Sequence, residues 1–277
     1  MYPPPKGESD LLGLECSGIV SAVGEGVTRC RPGDRVMALL AGGGYAEQVV
    51  IHERMAIPVP KDFDLVTAAA IPEAFLTARE GLFTLGALRA GQTVLIHAAA
   101  GGVGSAAVQL AKLAGAKVLA TAGGPEKCEF VRGLGADRVI DYKSEDFAEV
   151  VLAETNGRGA ELAIDFIGAK YWPQHAACLA SGGRCVVIGV LGGTKVEVDF
   201  SKLLFKRHQI LGLVMRSRSL ADKIAITERF IAESLPALEQ GKLSPVVDST
   251  FALADAAKAH ERMEANANRG KILLRVG

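Results

Sequence analysis

The sequence predicts an α/β fold in which a six-stranded doubly wound parallel sheet is inserted between the two parts of a β-rich domain. Three observations predict it: turn-rich β segments fill residues 1–60, strands and helices alternate from residue 93, and a β segment returns near the C-terminus. The predicted β-rich domain comprises residues 1–71 and 218–277, and the inserted domain comprises residues 72–217. With 49% hydrophobic residues, a chain of 277 residues can bury cores of this size.

The first 60 residues read as short strands separated by turns. Residues 12–24 alternate and turn like β structure, residues 31–40 join an Arg-Pro-Gly-Asp turn to an apolar run, and Ala46–Ile51 follows a glycine-rich bend. Each of the three is predicted to contain a strand. The alanine-rich segment Leu65–Leu85 is predicted to be helical, with an interruption at Pro72.

From residue 93 the rhythm changes to alternating strands and helices. The predicted strands are Thr93–His97, Lys117–Thr121, Arg138–Asp141, Glu161–Ile167, Arg184–Val190 and Gln209–Met215. The predicted helices between them are Gly104–Ala114, Glu126–Leu134, Glu145–Thr155, Tyr171–Ala180 and the shorter Phe200–Arg207. Most of these strands are nearly continuous apolar runs, which is typical of parallel strands covered on both faces.

The last 60 residues return to mixed structure. Leu220–Gln240 is predicted to be one long amphipathic helix, and Asp255–Ala265 a second helix. Ser244–Phe251 and Lys271–Val276 are predicted to be extended.

The strand Thr93–His97 runs into a glycine-rich turn and then into a helix. The turn reads Ala98-Ala-Ala-Gly-Gly-Val-Gly104, with Ala99 where a dinucleotide-binding fingerprint usually has its first glycine. Unpaired N–H groups at the start of the helix would bind a pyrophosphate, and Gly101 would let the phosphates approach while Gly104 lets the helix pack closely. We therefore predict a Rossmann-type site formed by Ala99, Gly101, Gly102, Val103 and Gly104.

The end of the next strand predicts which dinucleotide is bound. NAD sites usually carry an acid there, but this strand ends in Thr121-Ala-Gly-Gly124. Lys127 follows at the start of the next helix, and Tyr142 follows Asp141 at the end of the third strand. A cation and a hydroxyl around a ledge of Gly123 and Gly124 suit a 2′-phosphate, so NADPH is predicted over NADH. Glu126, taken as the one nearby acid, is predicted to lie on the solvent side of the helix start.

Charge and composition exclude several other classes. The formal net charge is +0, so no nucleic-acid partner is expected, and no apolar stretch is long enough to span a membrane. The five cysteines lack the spacing of a zinc or redox site, which favours reduced thiols in a cytoplasmic protein. The five histidines are dispersed along the sequence and are predicted to be structural or surface residues; they are His52, His97, His175, His208 and His260.

Several motifs together resemble the zinc-independent quinone oxidoreductases, the zeta-crystallin-like branch of the medium-chain dehydrogenases/reductases. In order, they are Tyr2-Pro-Pro-Pro5, Gly13-Leu-Glu15, Pro32-Gly-Asp34, Ala69-Ala-Ile-Pro-Glu-Ala74, Ala98–Gly104, Leu134-Gly-Ala136 and Gly270-Lys-Ile272. The segments Ala41-Gly-Gly-Gly44 and Phe200–Arg207 make the chain most similar to the subgroup induced by the p53 tumour suppressor. The resemblance implies that the β-rich domain is a GroES-like catalytic domain.

The resemblance also implies roles for particular residues. Tyr2 would line the nicotinamide end of the cleft and orient the substrate or help deliver a proton, and Thr77 would bond the cofactor nearby. Gly168 would leave room for the ribose, Gly189 and Leu191 would offer backbone groups to the carboxamide, and Lys271 would reach the cofactor from the catalytic domain. Tyr2 could equally be a hydrophobic contact in its proline-rich turn.

No metal site is predicted. Zinc-dependent relatives carry a Gly-His-Glu element with a metal-binding histidine, and the matching segment here has Leu14 in the ligand position. A four-cysteine structural lobe is also missing from the sequence. Any proton given to the substrate would therefore come from Tyr2, from water or from solvent.

Family members carry further strands and an Asn-containing loop before the Tyr-Pro-Pro-Pro element, so this chain is expected to be shortened at its N-terminus. The family also pairs the last strand of its cofactor sheet with that of a second subunit, which implies a homodimer through Gln209–Met215. An ordinary edge strand is the alternative.

The predicted activity is NADPH-dependent hydride transfer to a quinone or related conjugated carbonyl, without a metal. One alternative is the reduction of an activated alkene, such as an enal or an enoyl thioester. A second alternative is a truncated, non-catalytic protein that binds NADPH. The predicted partner is thus a small-molecule substrate, without a membrane or nucleic acid.

Overall fold

The computed structural model describes residues 6–277 and divides into two compact units. The first unit comprises the chain up to Thr77 together with Val214–Gly277, and the second unit is Ala78–Leu213. The sequence predicts these divisions at residues 71 and 217. Pro72 begins a helix that continues to Arg79, so the chain passes from one unit to the other inside that helix rather than at the proline.

The strands and helices are numbered along the chain. The strands are β1 (Glu15–Ile19), β2 (Arg35–Leu39), β3 (Ile57–Pro58), β4 (Thr93–Ile96), β5 (Lys117–Ala122), β6 (Arg138–Asp141), β7 (Ala160–Asp165), β8 (Leu179–Val187), β9 (Gln209–Gly212), β10 (Val247–Ala252) and β11 (Lys271–Arg275). The helices are α1 (Leu65–Ala68), α2 (Pro72–Arg79), α3 (Gly102–Leu113), α4 (Pro125–Gly133), α5 (Phe147–Glu154), α6 (Trp172–Cys178), α7 (Phe200–Lys206), α8 (Leu220–Glu233), α9 (Leu235–Glu239) and α10 (Ala256–Glu264). A π-helical turn, Glu80–Leu85, continues α2.

The first unit contains two small sheets. β1, β2 and β3 form an antiparallel sheet in that order, and β10 pairs in parallel with β11. The turn before β1 requires glycine, because Gly13 has φ +96° and a Cβ there would lie 2.6 Å from the Cα atom of Gly44. This close approach fixes the start of β1, where Glu15 lies.

Two sequence predictions for the first unit are wrong. Ala46–Ile51 forms no strand, because no segment among residues 6–277 pairs with it, and Val50 is fully exposed. The predicted long helix Leu220–Gln240 is two helices, because the chain bends at Ser234 and Pro236 occupies the first turn of α9.

The second unit is built on a six-stranded parallel sheet in the order β6-β5-β4-β7-β8-β9. The order reverses between β4 and β7, and in such folds ligands bind beyond the carboxyl ends of the strands at this point. One face of the sheet packs against α5 and α6 in a cluster that includes Leu95, Leu119, Phe147 and Trp172. The predicted doubly wound sheet is therefore confirmed.

Some strand ends differ from the prediction by a few residues. β7 ends at Asp165 instead of residue 167, β8 ends at Val187 instead of residue 190, and β9 ends at Gly212 instead of residue 215. Gly189 and Leu191 therefore lie in the loop beyond β8, and Gly168 begins a 3₁₀ turn after β7, so none of the three is at a strand end. None of the helices formed by the described residues is long and apolar enough to cross a membrane.

Candidate functional site: a nucleotide turn and two polar clusters

The glycine-rich turn lies between β4 and α3, as its sequence predicts. Ala98 has φ +46°, and its carbonyl oxygen accepts a hydrogen bond of 2.9 Å from the N–H of Gly101, the residue before the first helical turn. A Cβ on Gly104 would lie 2.3 Å from the Ala98 oxygen, so only glycine fits. The N–H groups of Gly102, Val103 and Gly104 come in the first turn of α3, where the helix itself provides no acceptors. This cradle fits a pyrophosphate.

The ledge after β5 is formed by Gly123 and Gly124. A Cβ on Gly123 would lie 2.5 Å from the hydroxyl oxygen of Tyr142, so the glycine lets this ring lie against the backbone. Gly124 has φ +87°, and the Lys143 Nζ atom lies 3.9 Å from the position that its Cβ would occupy. Tyr142 and Lys143 thus bring a hydroxyl and a cation to the ledge, and the partly exposed Lys127 lies in the first turn of α4.

Glu126 is not the only acid near this ledge, and the sequence prediction is wrong on this point. The Asp141 Oδ1 atom accepts hydrogen bonds from the backbone N–H groups of Gly124 at 3.0 Å and of Lys143 at 3.1 Å. These bonds hold the pKa of Asp141 below its usual range. The Asp141 carboxylate therefore holds the backbone of Gly124 and of Lys143 in place at the ledge.

The loops that follow β7 and β8 are linked by backbone contacts. The carboxylate of Asp165 accepts from the N–H groups of Ile167 at 2.8 Å and of Gly168 at 3.0 Å. A Cβ on Gly189 would lie 2.9 Å from the carbonyl oxygen of Phe166, and the same oxygen accepts from the N–H of Leu191 at 3.1 Å. These loops hold Gly168, Gly189 and Leu191 close together beyond the strand ends.

A cluster of polar groups that includes two uncharged histidines lies buried beneath these loops. We call His97, Thr121, Asp165 and His175 the histidine cluster. His97 bonds Thr121 Oγ1 through Nδ1 at 3.0 Å and His175 Nε2 through Nε2 at 2.8 Å, and both rings are fully buried. Burial lowers the pKa of His97 well below its usual value and that of His175 to about 4. The histidines His97 and His175, which the sequence leaves dispersed, are in fact direct partners.

The histidine cluster also offers the donor atoms of a metal site. Donor atoms of His97, Asp165 and His175 lie within 4.8 Å of one another. However, nitrogen ligands on a tetrahedral zinc ion lie roughly 3.3 Å apart, given Zn–N bonds of about 2.0 Å. The 2.8 Å between the two imidazole nitrogens is a hydrogen-bond distance. That this chain holds no metal stays a prediction.

The first unit contains a second cluster, which we call the lysine cluster: Glu15, Glu73, Thr77 and Lys271. Glu15 forms an ion pair with Lys271 through one carboxylate oxygen, and its other oxygen accepts from the Glu73 N–H at 2.9 Å. The Thr77 hydroxyl donates to the Glu73 carboxylate at 3.2 Å. Burial, and then the charge of Glu15, raise the pKa of Glu73 to about 7.

Two residues flank the lysine cluster. The Tyr45 hydroxyl bonds His260 Nε2 at 2.9 Å, and Tyr45 faces Lys271 closely enough for the two to interact electrostatically. Tyr2 lies outside the described residues 6–277, so its predicted role at the nicotinamide has no structural counterpart here. Thr77 and Lys271, which the sequence predicts separately, are brought into one cluster.

Sequence reasoning missed Lys143, Glu73 and the histidine pair. Glu73 lies four residues before Thr77 on a helix, a spacing that places both on one face and could have indicated the contact. No spacing rule links His97 with His175, since His97 follows β4 and His175 lies on α6, far away in sequence. Their pairing follows from tertiary structure alone.

Two family models match the chain. Residues 102–231 match the zinc-binding dehydrogenase model, and residues 1–61 match the alcohol dehydrogenase GroES-like domain. A quinone oxidoreductase of Pseudomonas aeruginosa is 35% identical over 99% of this chain and 84% of its own length. Phthioceranic/hydroxyphthioceranic acid synthase of Mycobacterium tuberculosis is 34% identical, but this chain spans only 13% of that protein's length.

Solved structures of reductases also resemble this chain over most of its length. The quinone oxidoreductase of Pseudomonas syringae has a TM-score of 0.88 at 33% identity, covering 99% of this chain and 84% of that one. The CurK enoyl reductase has a TM-score of 0.85 at 32% identity, covering 96% and 80%. A mycobacterial protein complexed with NADPH has a TM-score of 0.85 at 31% identity, covering 95% and 82%.

The fold and the nucleotide turn define a medium-chain dehydrogenase/reductase. Within that superfamily, the chain belongs to the quinone oxidoreductase family, which confirms the resemblance noted in its sequence.

Proposed function

We propose that this chain binds NADPH and transfers hydride to a quinone or a related conjugated carbonyl. The single observation that carries the cofactor assignment is the ledge beside Gly123 and Gly124, where Tyr142 and Lys143 lie next to the backbone. A hydroxyl and a cation at this point suit a ribose 2′-phosphate, whereas an acid accepting from the 2′-hydroxyl would suit NAD. The relative complexed with NADPH supports the same cofactor.

The bound cofactor supplies the hydride. The chain's own residues bind and orient it: the N–H groups of Gly102 to Gly104 bind the pyrophosphate, and Lys127 and Lys143 bind the 2′-phosphate. The backbone of Gly168, Gly189 and Leu191 would contact the nicotinamide half. The family resemblance alone assigns Tyr2, Thr77 and Lys271 to the reacting end.

Reduction of an activated alkene is the second candidate. It is favoured by the similarity to the CurK enoyl reductase and by the match to one stretch of a much longer acid synthase. Both reactions deliver hydride to a conjugated carbonyl system, so the same cluster of residues serves either one.

Initial rates of NADPH oxidation distinguish the candidates. The purified chain is assayed with an ortho-quinone, an enal and an enoyl thioester, using NADPH and NADH in parallel. The proposal predicts the highest kcat/KM with the quinone and with NADPH. A preference for the thioester would establish the second candidate, and cofactor binding without oxidation of NADPH by any acceptor would indicate a non-catalytic protein.

We also propose a homodimer formed through β9, the last strand of the six-stranded sheet. The neighbouring helix α7 exposes Phe200 by 72%, Leu204 by 70% and Phe205 by 77%, and Ile210 on β9 is 47% exposed. Apolar surface of this kind next to a sheet edge suits strand pairing between subunits. Analytical ultracentrifugation should find a dimer that Leu204→Glu dissociates, and a wild-type monomer at high concentration would contradict the proposal.

A further inference from the structure

The proposed reaction consumes a proton as well as a hydride, and the lysine cluster contains an acid that has no role yet. Glu73 lies at the start of α2, one helical turn before Thr77. Its backbone N–H donates to Glu15, and its side chain accepts from Thr77. Both the position and the charge of this carboxyl group are therefore set by its neighbours.

We propose that Glu73 donates the proton that the substrate takes up after hydride transfer, and that Thr77 and the Glu15–Lys271 ion pair position and tune it. This inference rests on the proposed function, because it assigns a further residue to the same reaction.

Charge balance in the lysine cluster supports a protonated Glu73. Lys271 provides one positive charge, and Glu15 matches it in a direct ion pair. A second ionised carboxylate next to Glu15 would leave uncompensated negative charge in a site that is largely enclosed by protein. Burial first, and then the charge of Glu15, raise the pKa of Glu73 to about 7, so below that pH most of the Glu73 carboxyl groups carry a proton.

Among residues 6–277, the charged groups that act on Glu73 come from two strands of the first unit. Glu15 on β1 raises its pKa, and Lys271 on β11 lowers it. Tyr45 interacts with Lys271 and is hydrogen-bonded to His260 on α10, which places these two residues in the next layer. Thr77 holds the carboxylate from its own helix.

Accessibility separates the roles of Glu73 and Thr77. Glu73 keeps part of its surface exposed, whereas Thr77 is only 2% exposed. Glu73 therefore lies at the edge of the buried cluster, while the Thr77 hydroxyl group acts as a fixed hydrogen-bond partner inside it. Thr77 is in this account a positioning residue.

The proton balance of the step is simple. Hydride addition to the conjugated system leaves an electron pair on the substrate oxygen, or on the α-carbon of an alkene. The O–H bond of Glu73 breaks, a new bond to hydrogen forms on the substrate, and Glu73 is left as a carboxylate. Water then returns a proton to it before the next turnover.

The test compares pH profiles of kcat for the wild type, Glu73→Gln, Thr77→Val and Thr77→Ser. The wild-type kcat should fall as the pH rises through about 7, the value that burial and Glu15 give Glu73. Glu73→Gln should lower kcat at pH 6 by about 100-fold and remove this pH dependence, since general acids contribute about 10²- to 10⁴-fold. Thr77→Val should displace the midpoint, and Thr77→Ser should restore it.

A matched control removes the same kind of contact elsewhere. Thr84 donates to Glu80, four residues earlier, at 2.8 Å within the second unit. Thr84→Val should leave the pH profile of kcat unchanged. Circular dichroism and melting curves identify any variant that fails to fold.

A second readout does not depend on turnover. Burial also raises the pKa of Asp165 to about 6, so the informative signal is the difference between the infrared spectra of the wild type and Glu73→Gln, both free of cofactor. This difference should contain a protonated carboxyl band that disappears with a midpoint near pH 7. A band that titrates in the ordinary range of glutamate would overturn the proposal.

The outcomes separate this inference from the proposed function. A wild type that oxidises no NADPH with any acceptor would overturn the proposed function and this step with it. An active wild type whose pH profile survives Glu73→Gln, or is instead lost in Tyr2→Phe, would overturn only the role of Glu73.

Discussion

In the first unit, Lys271 and Glu15 form an ion pair beside Glu73, whereas in the second unit two uncharged histidines, His97 and His175, share a hydrogen bond. Both clusters are buried polar groups between secondary-structure elements that are far apart in sequence. The lysine cluster contains charge and partly reaches solvent, since Lys271 is 24% exposed. The histidine rings are fully buried and uncharged.

The difference shows that one chain can bury polar groups in two ways, and that the two ways make the stability of the protein depend on pH in opposite directions. Burial raises the pKa of Glu73 to about 7, so its contribution to stability is complete below its unfolded pKa near 4.5 and is lost as the pH rises toward 7. Burial lowers the pKa of His175 to about 4, so its contribution is complete above 6.5 and is lost as the pH falls toward 4.

The largest effect is expected when the cation of the lysine cluster is removed. Lys271→Met leaves the Glu15 carboxylate without its counter-charge beside Glu73, and should lower the free energy of unfolding by about 3 kcal/mol. Urea unfolding at pH 7.5 measures it. Lys258→Met is the matched control, because the ion pair of Lys258 with Asp255 is exposed to solvent and should contribute little to stability. Equal effects of the two substitutions would contradict the role given to the lysine cluster.

A somewhat smaller effect is expected in the histidine cluster. His175→Ala removes the partner of His97 and leaves a buried nitrogen unsatisfied, which should cost about 2–3 kcal/mol. The matched control is His52→Ala, since His52 is exposed and its ring accepts a hydrogen bond of 3.1 Å from the nearby Arg54 N–H. The difference between the two should appear in thermal melts at pH 7.5. It should shrink toward pH 4, where the wild-type network itself becomes protonated.

The opposite pH dependences can be tested with one further substitution. Glu73→Gln removes a group that resists ionisation, so it should raise the melting temperature at pH 8 by about 3 °C and have little effect at pH 5. Melting curves at the two pH values measure the shift. A larger stabilisation at pH 5 than at pH 8 would have the wrong sign and would contradict the elevated pKa.

Much of the fold was predictable because the apolar runs and turn residues in the sequence favour the same strands and turns that the tertiary structure contains. The six strands are apolar and follow glycine-rich or capped turns, and the Ala98–Gly104 turn has a backbone that only its glycines allow. The strand predicted at Ala46–Ile51 failed because a β-prone sequence needs a partner, and the sequence alone does not show which partners exist. The predicted helix Leu220–Gln240 failed because an apolar pattern passes through Pro236 without indicating a break.

The candidate site was predictable only where its residues are neighbours in the sequence. The nucleotide turn and the Gly123–Gly124 ledge are local, so the sequence indicates them directly. The contacts of Lys271 with Glu15, and of His97 with His175, join residues on different elements, and no spacing rule predicts them. Lys143 was missed because its position at the ledge depends on how β6 lies beside β5.

The most direct test of the account is a calorimetric titration of the purified chain with NADPH and with NADH. The account predicts that NADPH binds at least about tenfold more tightly, and that Lys143→Ala removes most of this difference while Lys195→Ala, an exposed lysine in the same unit, does not. Tighter binding of NADH, or no binding of either dinucleotide, would contradict the central claim that the turn at Ala98–Gly104 and its neighbouring ledge hold a phosphorylated dinucleotide.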